Sequence, residues 1–293
     1  MGRPLKQGEP PDPSRRSEFV EGLAKGLAVL ECFDAENPAM NLSEVARRAG
    51  LSPSAARRSL ITLSALGYIG QAGKTFHLKS KLLGLGSAVL LTARIEETLN
   101  PELRALVTRF GDASSVATLD GHDVIYVAHH SVQRARRRMA FAGARYPATA
   151  TSLGRVILAG LPPHELDAFF ATLTPAPLTE HTVVDKRRLR EIIDETRQND
   201  HAVSVDQLDY GITALAVPIR APDGAVVAAL NTSGYSGSVS PESLIGDRLE
   251  ALRSAAAVIA QTLLRYPVLT NILRASTVIA PASTETESSE RTP

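Results

Sequence analysis

The residues that could do recognition chemistry are concentrated in one short segment, residues 41–60. Asn41 can cap a helix, with Glu44 three residues later completing a variant of the capping box. Gly50 can adopt the positive φ of a tight turn. Ser52-Pro53 can then cap and begin a second helix. Two helices in this order and at this spacing predict a helix-turn-helix.

The second helix of this motif would have an apolar and a polar face. Ala56 and Leu60 would pack inward, whereas Arg57 and Arg58 would point outward from the half of the helix that contacts base edges in DNA-binding proteins. Arginine can pair bidentately with guanine, and hydroxyls near a helix N-terminus can hold phosphates. The following residues 66–78 form a plausible two-stranded wing with Lys74 at its tip. The candidate DNA contacts are Ser43, Ser52, Ser54, Arg57, Arg58, Thr62 and Lys74.

An isolated pair of arginines is more often a solvated helix face than a binding site. The complete arrangement of capped helix, glycine turn, second capped helix and basic wing favours DNA binding instead. The distribution of charge agrees with this interpretation, because basic residues gather in the N-terminal third although the whole chain carries a net charge of only +1. Arg47 and Arg48 are among these clustered cations.

Other chemistry has little support in the sequence. Cys32 is the only cysteine and has no Cys-x-x-C partner, and the adjacent His129 and His130 would point to opposite faces of a strand. Ser152 could be imagined as a nucleophile with His181 and Asp206, but nothing in the sequence brings the three together. There is no phosphate-binding loop and no nucleophile turn. We therefore expect no catalytic residues, no cofactor and no metal.

Length and composition indicate a two-domain protein that can bury ordinary cores, since the chain has 293 residues of which 44% are apolar. No apolar run reaches the roughly 18 residues of a membrane span, and the N-terminus lacks the apolar stretch of a secretory signal. With a single cysteine, a cytoplasmic location is expected.

The elements that would position these residues divide the chain into five parts. Short helices and a hairpin precede a longer helix, and strands paired through tight turns at residues 120–123 and 221–224 then indicate an α+β domain with an antiparallel sheet. Residues 136–141 are a candidate third strand. The predicted parts are a disordered tail at 1–17, a winged helix-turn-helix at 18–79, a linker helix at 80–100, a larger domain at 101–268, and a tail at 269–293 that is disordered at its end.

Five segments in order, spanning about residues 18–266, resemble the IclR family of bacterial regulators: residues 19–30, 41–60, 145–159, 211–219 and 229–234. The resemblance implies an N-terminal winged helix, a linker helix used in dimerisation, and a GAF-like effector-binding domain. The Pro147-Ala148 and Thr151-Ser152-Leu153-Gly154-Arg155 pattern is most similar to the branch that regulates the β-ketoadipate pathway, through protocatechuate and 4-hydroxybenzoate genes.

By matched position, the resemblance implies an effector site at Ser152, Leu153, Gly154, Asp206, Ile212, Ala214, Asn231 and Ser233. Asn231 and Ser233 alternate on one strand and would face the same side. A helix beginning near Gly154 would offer free backbone N–H groups and a positive dipole end to a carboxylate. Arg134, Arg136 and Arg138 could supply a two-pronged carboxylate contact, although such a run is more often a solvated edge strand.

Three function classes remain open from the sequence. The first is a ligand-responsive regulator that binds a double-stranded DNA operator as a homodimer or homotetramer and senses a small aromatic or dicarboxylic acid. The second is a constitutive DNA-binding protein whose larger domain only mediates oligomerisation. The third is an enzyme of small aromatic acids with an appended DNA-binding head.

Overall fold

The computed structural model describes residues 19–132 and 140–274, and the chain divides into two compact units between Leu91 and Thr92. The predicted tail at 1–17, the last residues of the predicted C-terminal tail, and most of the candidate strand at 136–141, with Arg134, Arg136 and Arg138, lie outside the described residues.

The N-terminal unit contains four helices and a three-stranded antiparallel sheet in the order β1-β3-β2. Its elements are α1 (Glu21–Glu31), β1 (Ala39–Asn41), α2 (Leu42–Arg48), α3 (Pro53–Ala65), β2 (Ile69–Ala72), β3 (Thr75–Leu78) and α4 (Lys81–Thr92). Apolar residues of α1, α2 and α3 form one core with Met40 and Ile69 of the sheet. The predicted helices and wing are confirmed, and the additional strand β1 pairs with β3.

Local hydrogen bonds explain where these helices begin and end. Asn41 Oδ1 accepts from the backbone N–H groups of Ser43 (2.9 Å) and Glu44 (3.1 Å), while Glu44 Oε2 accepts from the Asn41 backbone N–H (2.8 Å). Gly50 has φ +64°, which gives the turn. Ser52 then caps α3 by accepting from Ala55 N (3.3 Å). The capping and turn residues predicted from the sequence therefore form the helix-turn-helix.

The C-terminal unit is built around a six-stranded antiparallel sheet in the order β6-β5-β4-β9-β8-β7, which confirms the α+β prediction. Its elements are α5 (Ile95–Thr98), α6 (Asn100–Phe110), β4 (Ala113–Asp120), β5 (Asp123–Ser131), β6 (Arg145–Pro147), a 3-10 turn (Ala148–Ala150), α7 (Ser152–Gly160), α8 (Pro163–Thr172), α9 (Lys186–Asn199), β7 (Ala202–Val205), β8 (Ile212–Arg220), β9 (Val226–Tyr235), α10 (Pro241–Arg265) and α11 (Pro267–Leu273). Helices α5, α6, α10 and α11 cover one face, and α7, α8 and α9 cover the other.

Two predicted boundaries differ from the structure. The helix predicted over 80–100 is interrupted after Thr92, where Arg94 has φ +50°, because the chain turns there to bury Ile95 and Leu99 in the core of the C-terminal unit. The tail predicted from residue 269 begins later, because α11 continues to Leu273, which is fully buried. Periodicity alone could not show either change, because both depend on what the chain packs against.

Among the described residues, no single helix is long and apolar enough to cross a membrane. Helices α10 and α11 meet the combined requirement for length and apolar character only as a pair, and that pair is bent by 119°.

Helix α7 is buried along almost its whole length, which requires a close approach at its first turn. An added Cβ on Gly154 would lie 2.1 Å from the backbone oxygen of Ala148 in the preceding 3-10 turn. The contact is between the backbones of α7 and of the 3-10 turn, which cannot move aside as the end of a flexible side chain can. Gly154 is therefore required by packing.

We expect Gly154→Ala to lower the free energy of unfolding by about 1–3 kcal/mol, the usual range for forcing an extra methyl group into a packed interior. Gly246→Ala is the matched control, because Gly246 lies within α10 with no atom near its added Cβ. That variant should be neutral or more stable by up to about 1 kcal/mol. Urea denaturation of both variants checks the expectation, and an unchanged midpoint for Gly154→Ala would contradict the close approach.

Candidate nucleic-acid interface and ligand pocket

Helix α3 exposes a polar and basic face. Ser54, Arg57, Arg58 and Thr62 are all exposed, whereas Ala56, Leu60 and Leu63 of the same helix are buried in the core. Ile61 is also 60% exposed, which adds an apolar contact surface beside the arginines. The outward direction expected for these side chains from helical spacing is confirmed.

The cations on this surface are not engaged within the protein. Over the described parts of the chain, Arg57, Arg58 and Lys74 form no ion pair. Lys74 is exposed in the turn between β2 and β3, next to Gly73 with φ +60°. Positive side chains without an acidic partner are available to phosphates or base edges.

Some of the hydroxyl groups predicted to contact DNA also make hydrogen bonds within the protein. Ser52 Oγ caps α3 and lies 3.2 Å from Ser54 Oγ, and Thr62 Oγ1 donates to the Arg58 carbonyl at 3.1 Å. Ser43 is exposed in the first turn of α2. These four residues remain predicted contacts.

Arg48 is different from its neighbour Arg47, although both belong to the basic cluster of the sequence. The Arg48 guanidinium donates to the Cys32 carbonyl at 2.9 Å and to Asp34 Oδ2 at 2.5 Å. It therefore ties α2 to the segment after α1, while Arg47 is exposed. Cys32 itself is buried and donates from Sγ to the Val29 carbonyl at 3.2 Å, as expected of a small core residue.

The ligand residues predicted on β8 and β9 share one face of the larger sheet. Ala214 lies opposite Ser233, and Asn231 lies two pairs further along, opposite Ala216. Because side chains alternate along a strand, Ile212, Ala214, Asn231 and Ser233 all face the side covered by α7. The structure brings these four positions together.

The direction of α7 places its N-terminus at the same end of the sheet. Its C-terminal residues Ala159 and Gly160 line a cavity with Pro218 and Val226. In the first turn of α7, the Arg155 side chain donates to the carbonyl of Val203, which pairs with Leu215, the neighbour of Ala214. The N-terminus of α7 therefore lies toward Ala214 and Ser233.

The free donors at this helix terminus belong to the two residues before Gly154, not to Gly154 itself. The Gly154 N–H donates to Thr151 Oγ1 at 3.0 Å and is thus already satisfied. The backbone N–H groups of Ser152 and Leu153 make no hydrogen bond to a described residue. Ser152 Oγ is buried and has no partner there either, with the residue only 1% exposed. Burying an unpaired hydroxyl has a cost, so such a group commonly indicates a missing ligand or water.

A polar cluster that was not among the predicted site residues begins beside Asn231 and continues onto β4 and β5. Asn231 Oδ1 accepts from the Ser115 backbone N–H at 2.9 Å, and Ser115 Oγ lies 2.9 Å from His129 Nδ1. Burial and the neighbouring His130 lower the pKa of His129, and burial raises the pKa of Tyr126, so both side chains are held neutral. Only the register of β4 against β5 and β9 could have identified this uncharged polar cluster.

The carboxylate of Asp206 already accepts hydrogen bonds within the protein. Asp206 has φ +53°, and its Oδ1 accepts from the Gly211 backbone N–H (2.8 Å) and from Ser236 Oγ (2.6 Å). The residue therefore closes the loop between β7 and β8. Its predicted place at the rim of a pocket stays a prediction.

Arg155, one turn into α7, is a further residue that was not among the predicted site residues. It is only 2% exposed, and its guanidinium donates to the carbonyls of Thr149 (3.0 Å) and Val203 (3.3 Å) and to Gln207 Oε1. Burial, with a smaller effect of Arg188, lowers the pKa of Arg155 to about 10. Because arginines are usually exposed, the sequence offered no reason to expect this one inside.

The residues considered for an enzyme do not assemble. His181 faces Glu180 and the Tyr210 ring, with no hydrogen bond to Ser152. Within the described ranges, no group of three or more His, Cys, Asp or Glu side chains could hold a metal ion.

Comparison with known proteins gives two matches along the chain. Residues 22–73 match the IclR helix-turn-helix domain, and residues 87–261 match the C-terminal domain of the bacterial transcriptional regulator IclR. The p-hydroxybenzoate hydroxylase transcriptional activator of Acinetobacter baylyi is 34% identical over 247 residues, which cover 83% of this chain and 91% of that protein. The Pca operon regulatory protein of the same organism is 32% identical, over 83% of this chain and 88% of its own length.

A solved structure resembles most of the chain. The crystal structure of an IclR homologue from Microbacterium hydrocarbonoxydans, complexed with 4-hydroxybenzoate, is 25% identical with a TM-score of 0.66. The similarity covers 83% of this chain and 99% of that one.

Proposed function

The chain belongs to the IclR family of bacterial transcriptional regulators, and we propose that it binds operator DNA through α3 and the β2–β3 wing while a small aromatic acid binds at the N-terminus of α7. The observation that carries the ligand half of the proposal is the buried, unpartnered hydroxyl of Ser152. The ligand is bound as a signal and is not converted.

The exposed arginines support the DNA half. Arg57 and Arg58 lie in the N-terminal half of α3, where a recognition helix meets base edges, and neither has an acidic partner among the residues described. Lys74 would contact a phosphate from the wing, as would Ser43, Ser52, Ser54 and Thr62 from the two helices of the motif.

We expect Arg57→Ala and Arg58→Ala each to weaken binding to operator DNA by roughly 1–3 kcal/mol, which is about a fivefold to 150-fold loss. The measurement is fluorescence anisotropy on a DNA fragment that the wild-type chain protects in a footprint. Arg253→Ala removes the same charge from an exposed position of α10 and should leave the affinity within about twofold. Full affinity in both α3 variants would exclude this face as the recognition surface.

The arrangement of residues at the N-terminus of α7 supports an acid with a compact body. A carboxylate at the N-terminus of α7 would accept from the Ser152 hydroxyl and from two free backbone N–H groups, and the helix dipole favours the same charge. Ala214 leaves room on the sheet beneath it. On the other side of Asn231, the neutral cluster of Ser115 and His129 can accept or donate a hydrogen bond to a polar substituent.

The relatives indicate which acids to test. One is named for p-hydroxybenzoate hydroxylase, and a homologous structure holds 4-hydroxybenzoate. An aromatic acid with a hydroxyl opposite the carboxylate would place charge and hydroxyl at the two polar ends of the pocket. Dicarboxylic acids are the alternative occupants.

We expect one or more acids in a panel that includes 4-hydroxybenzoate to raise the melting temperature of the full chain, because a ligand of the folded state stabilises it by mass action. Ser152→Ala should lower the affinity for the stabilising acid by roughly tenfold to a hundredfold, through loss of a hydrogen bond to a charged group. Ser233→Ala should lower the affinity for the same acid by a smaller factor. Ser254→Ala, on the outer side of α10, is the control.

Two other results would favour the competing functions. No response to any acid would favour a DNA-binding protein whose larger domain only mediates oligomerisation. Chemical conversion of the stabilising acid, followed by chromatography, would favour an enzyme.

The exposed side of α4 supports self-association. No residue of this largely apolar helix is buried in the single chain, and Leu83 and Leu91 are 74% and 76% exposed. On α1, Leu23 and Leu27 are also exposed. Contiguous apolar surface of this kind is usually covered by a partner, and we assign that role to a second copy of the chain in a homodimer, with a homotetramer as the larger alternative.

We expect the double substitution Leu83→Glu with Leu90→Glu, two positions on one face of α4, to lower the molar mass in solution to that of the monomer. Two buried carboxylates would have to lose their hydration in such an interface. Light scattering after size exclusion measures the mass, and Gln261→Glu on exposed α10 serves as the control for added charge. A double variant with the wild-type mass would place the interface elsewhere.

A further inference from the structure

We infer that Arg155 makes the ligand site selective for anions, by holding an unneutralised positive charge beside the N-terminus of α7. This inference rests on the proposed acid-binding function and goes beyond it, because it assigns the selection for charge to a residue that has no place in the predicted site.

The three hydrogen bonds of Arg155 place its guanidinium at the ligand end of α7. Thr149 immediately precedes the helix, and Val203 lies on the edge strand β7, next to the position that pairs with Ala214. Gln207 begins the loop after β7. All three acceptors are neutral oxygens, so they satisfy the N–H groups without cancelling the charge.

The acidic residues in this region are used elsewhere. Asp206, beside Gln207, accepts from Gly211 and Ser236 with one carboxylate oxygen and makes no ion pair with Arg155. Arg188, the charge that acts on Arg155, is itself positive and is paired at the surface with Glu191 and Glu195. For the part of the chain that the structure describes, no carboxylate lies within ion-pair distance of Arg155.

A second buried arginine in the same unit shows the ordinary arrangement. Arg248 of α10 donates to Asp112 Oδ2 at 3.0 Å and to Thr232 Oγ1 at 3.1 Å. Both partners of that pair are at least nine-tenths buried, so the charge inside the protein is balanced. Among the described residues, Arg248 thus has a carboxylate partner and Arg155 has none.

Burying a charge without an opposite charge is costly, and proteins usually avoid it. The pKa of Arg155 is lowered only to about 10, so the group stays charged at neutral pH. A bound carboxylate would add the missing negative charge, whereas a neutral ligand of the same shape would not. For charges several ångströms apart at an effective dielectric constant of about 20, this difference corresponds to roughly tenfold to a hundredfold in affinity.

The test compares 4-hydroxybenzoate with 4-hydroxybenzamide, which has nearly the same shape but no charge, by calorimetric titration of the full chain. The wild-type chain should prefer the acid by about tenfold to a hundredfold. Arg155→Met should reduce this preference to a few-fold, and Arg155→Lys should keep most of it because the charge remains. If Arg155→Met does not fold, Arg155→Gln retains an N–H donor without the charge and replaces it.

The ratio of the two affinities separates selection for charge from a structural role, since a variant that only disturbs the pocket weakens both ligands alike. Arg197→Met is the matched control: Arg197 also donates to α7, at the Ala159 carbonyl (2.9 Å), but at the far end and with Asp194 as its partner. Its acid preference should equal that of the wild type.

Each other outcome overturns a defined claim. Equal affinity of the wild-type chain for acid and amide, or an unchanged ratio in Arg155→Met and Arg155→Gln, would refute the role of Arg155 and leave the proposed function standing. If neither 4-hydroxybenzoate nor any other acid of the melting panel binds, the proposed ligand function fails, and the inference fails with it.

Discussion

The packing of α7 against one face of the six-stranded sheet is the constraint on which the C-terminal unit depends. All residues of this helix except the last are buried, and the contact requires a glycine at 154 because the backbone of Ala148 fills the space of a side chain. The same packing also arranges the proposed ligand site. It carries the helix N-terminus over the small and polar residues of β8 and β9, and it takes Arg155 into the interior, where water cannot screen its charge.

In both units, the partners of an arginine distinguish a structural role from an available charge. Arg48 and Arg248 each have a carboxylate and hold elements together: α2 with the segment after α1, and α10 with the start of β4. Arg57 and Arg155 have no acidic partner in the described ranges. The first can meet DNA from an exposed helix, and the second can attract an anion into a buried site. Residues of the same type thus have different roles because their surroundings differ in charge and in exposure to solvent.

Regulation by a small acid would require that its binding favours one arrangement of the protein over another. Arg155 links the start of α7 to β7 and to Gln207, whose loop is closed by Asp206 and Ser236. Thr232 lies between Asn231 and Ser233, the proposed ligand residues of β9, and accepts a hydrogen bond from Arg248 on the opposite face. A ligand at the N-terminus of α7 would therefore contact elements that are connected to both layers of helices.

The sequence by itself determined the helix-turn-helix, since capping by Asn41 and Ser52 and the positive φ of Gly50 are local properties that act within a few residues. It also predicted the antiparallel hairpins, whose turns are local too, and the shared face of Asn231 and Ser233, which follows from strand alternation. Only the tertiary structure decided the rest. The end of α4, the extra helix α11, the cluster of Ser115 with His129 and the burial of Arg155 all depend on contacts between residues far apart in the chain. Such contacts leave no periodic signal, because the partner that buries or neutralises a side chain is chosen by the fold and not by its neighbours in sequence.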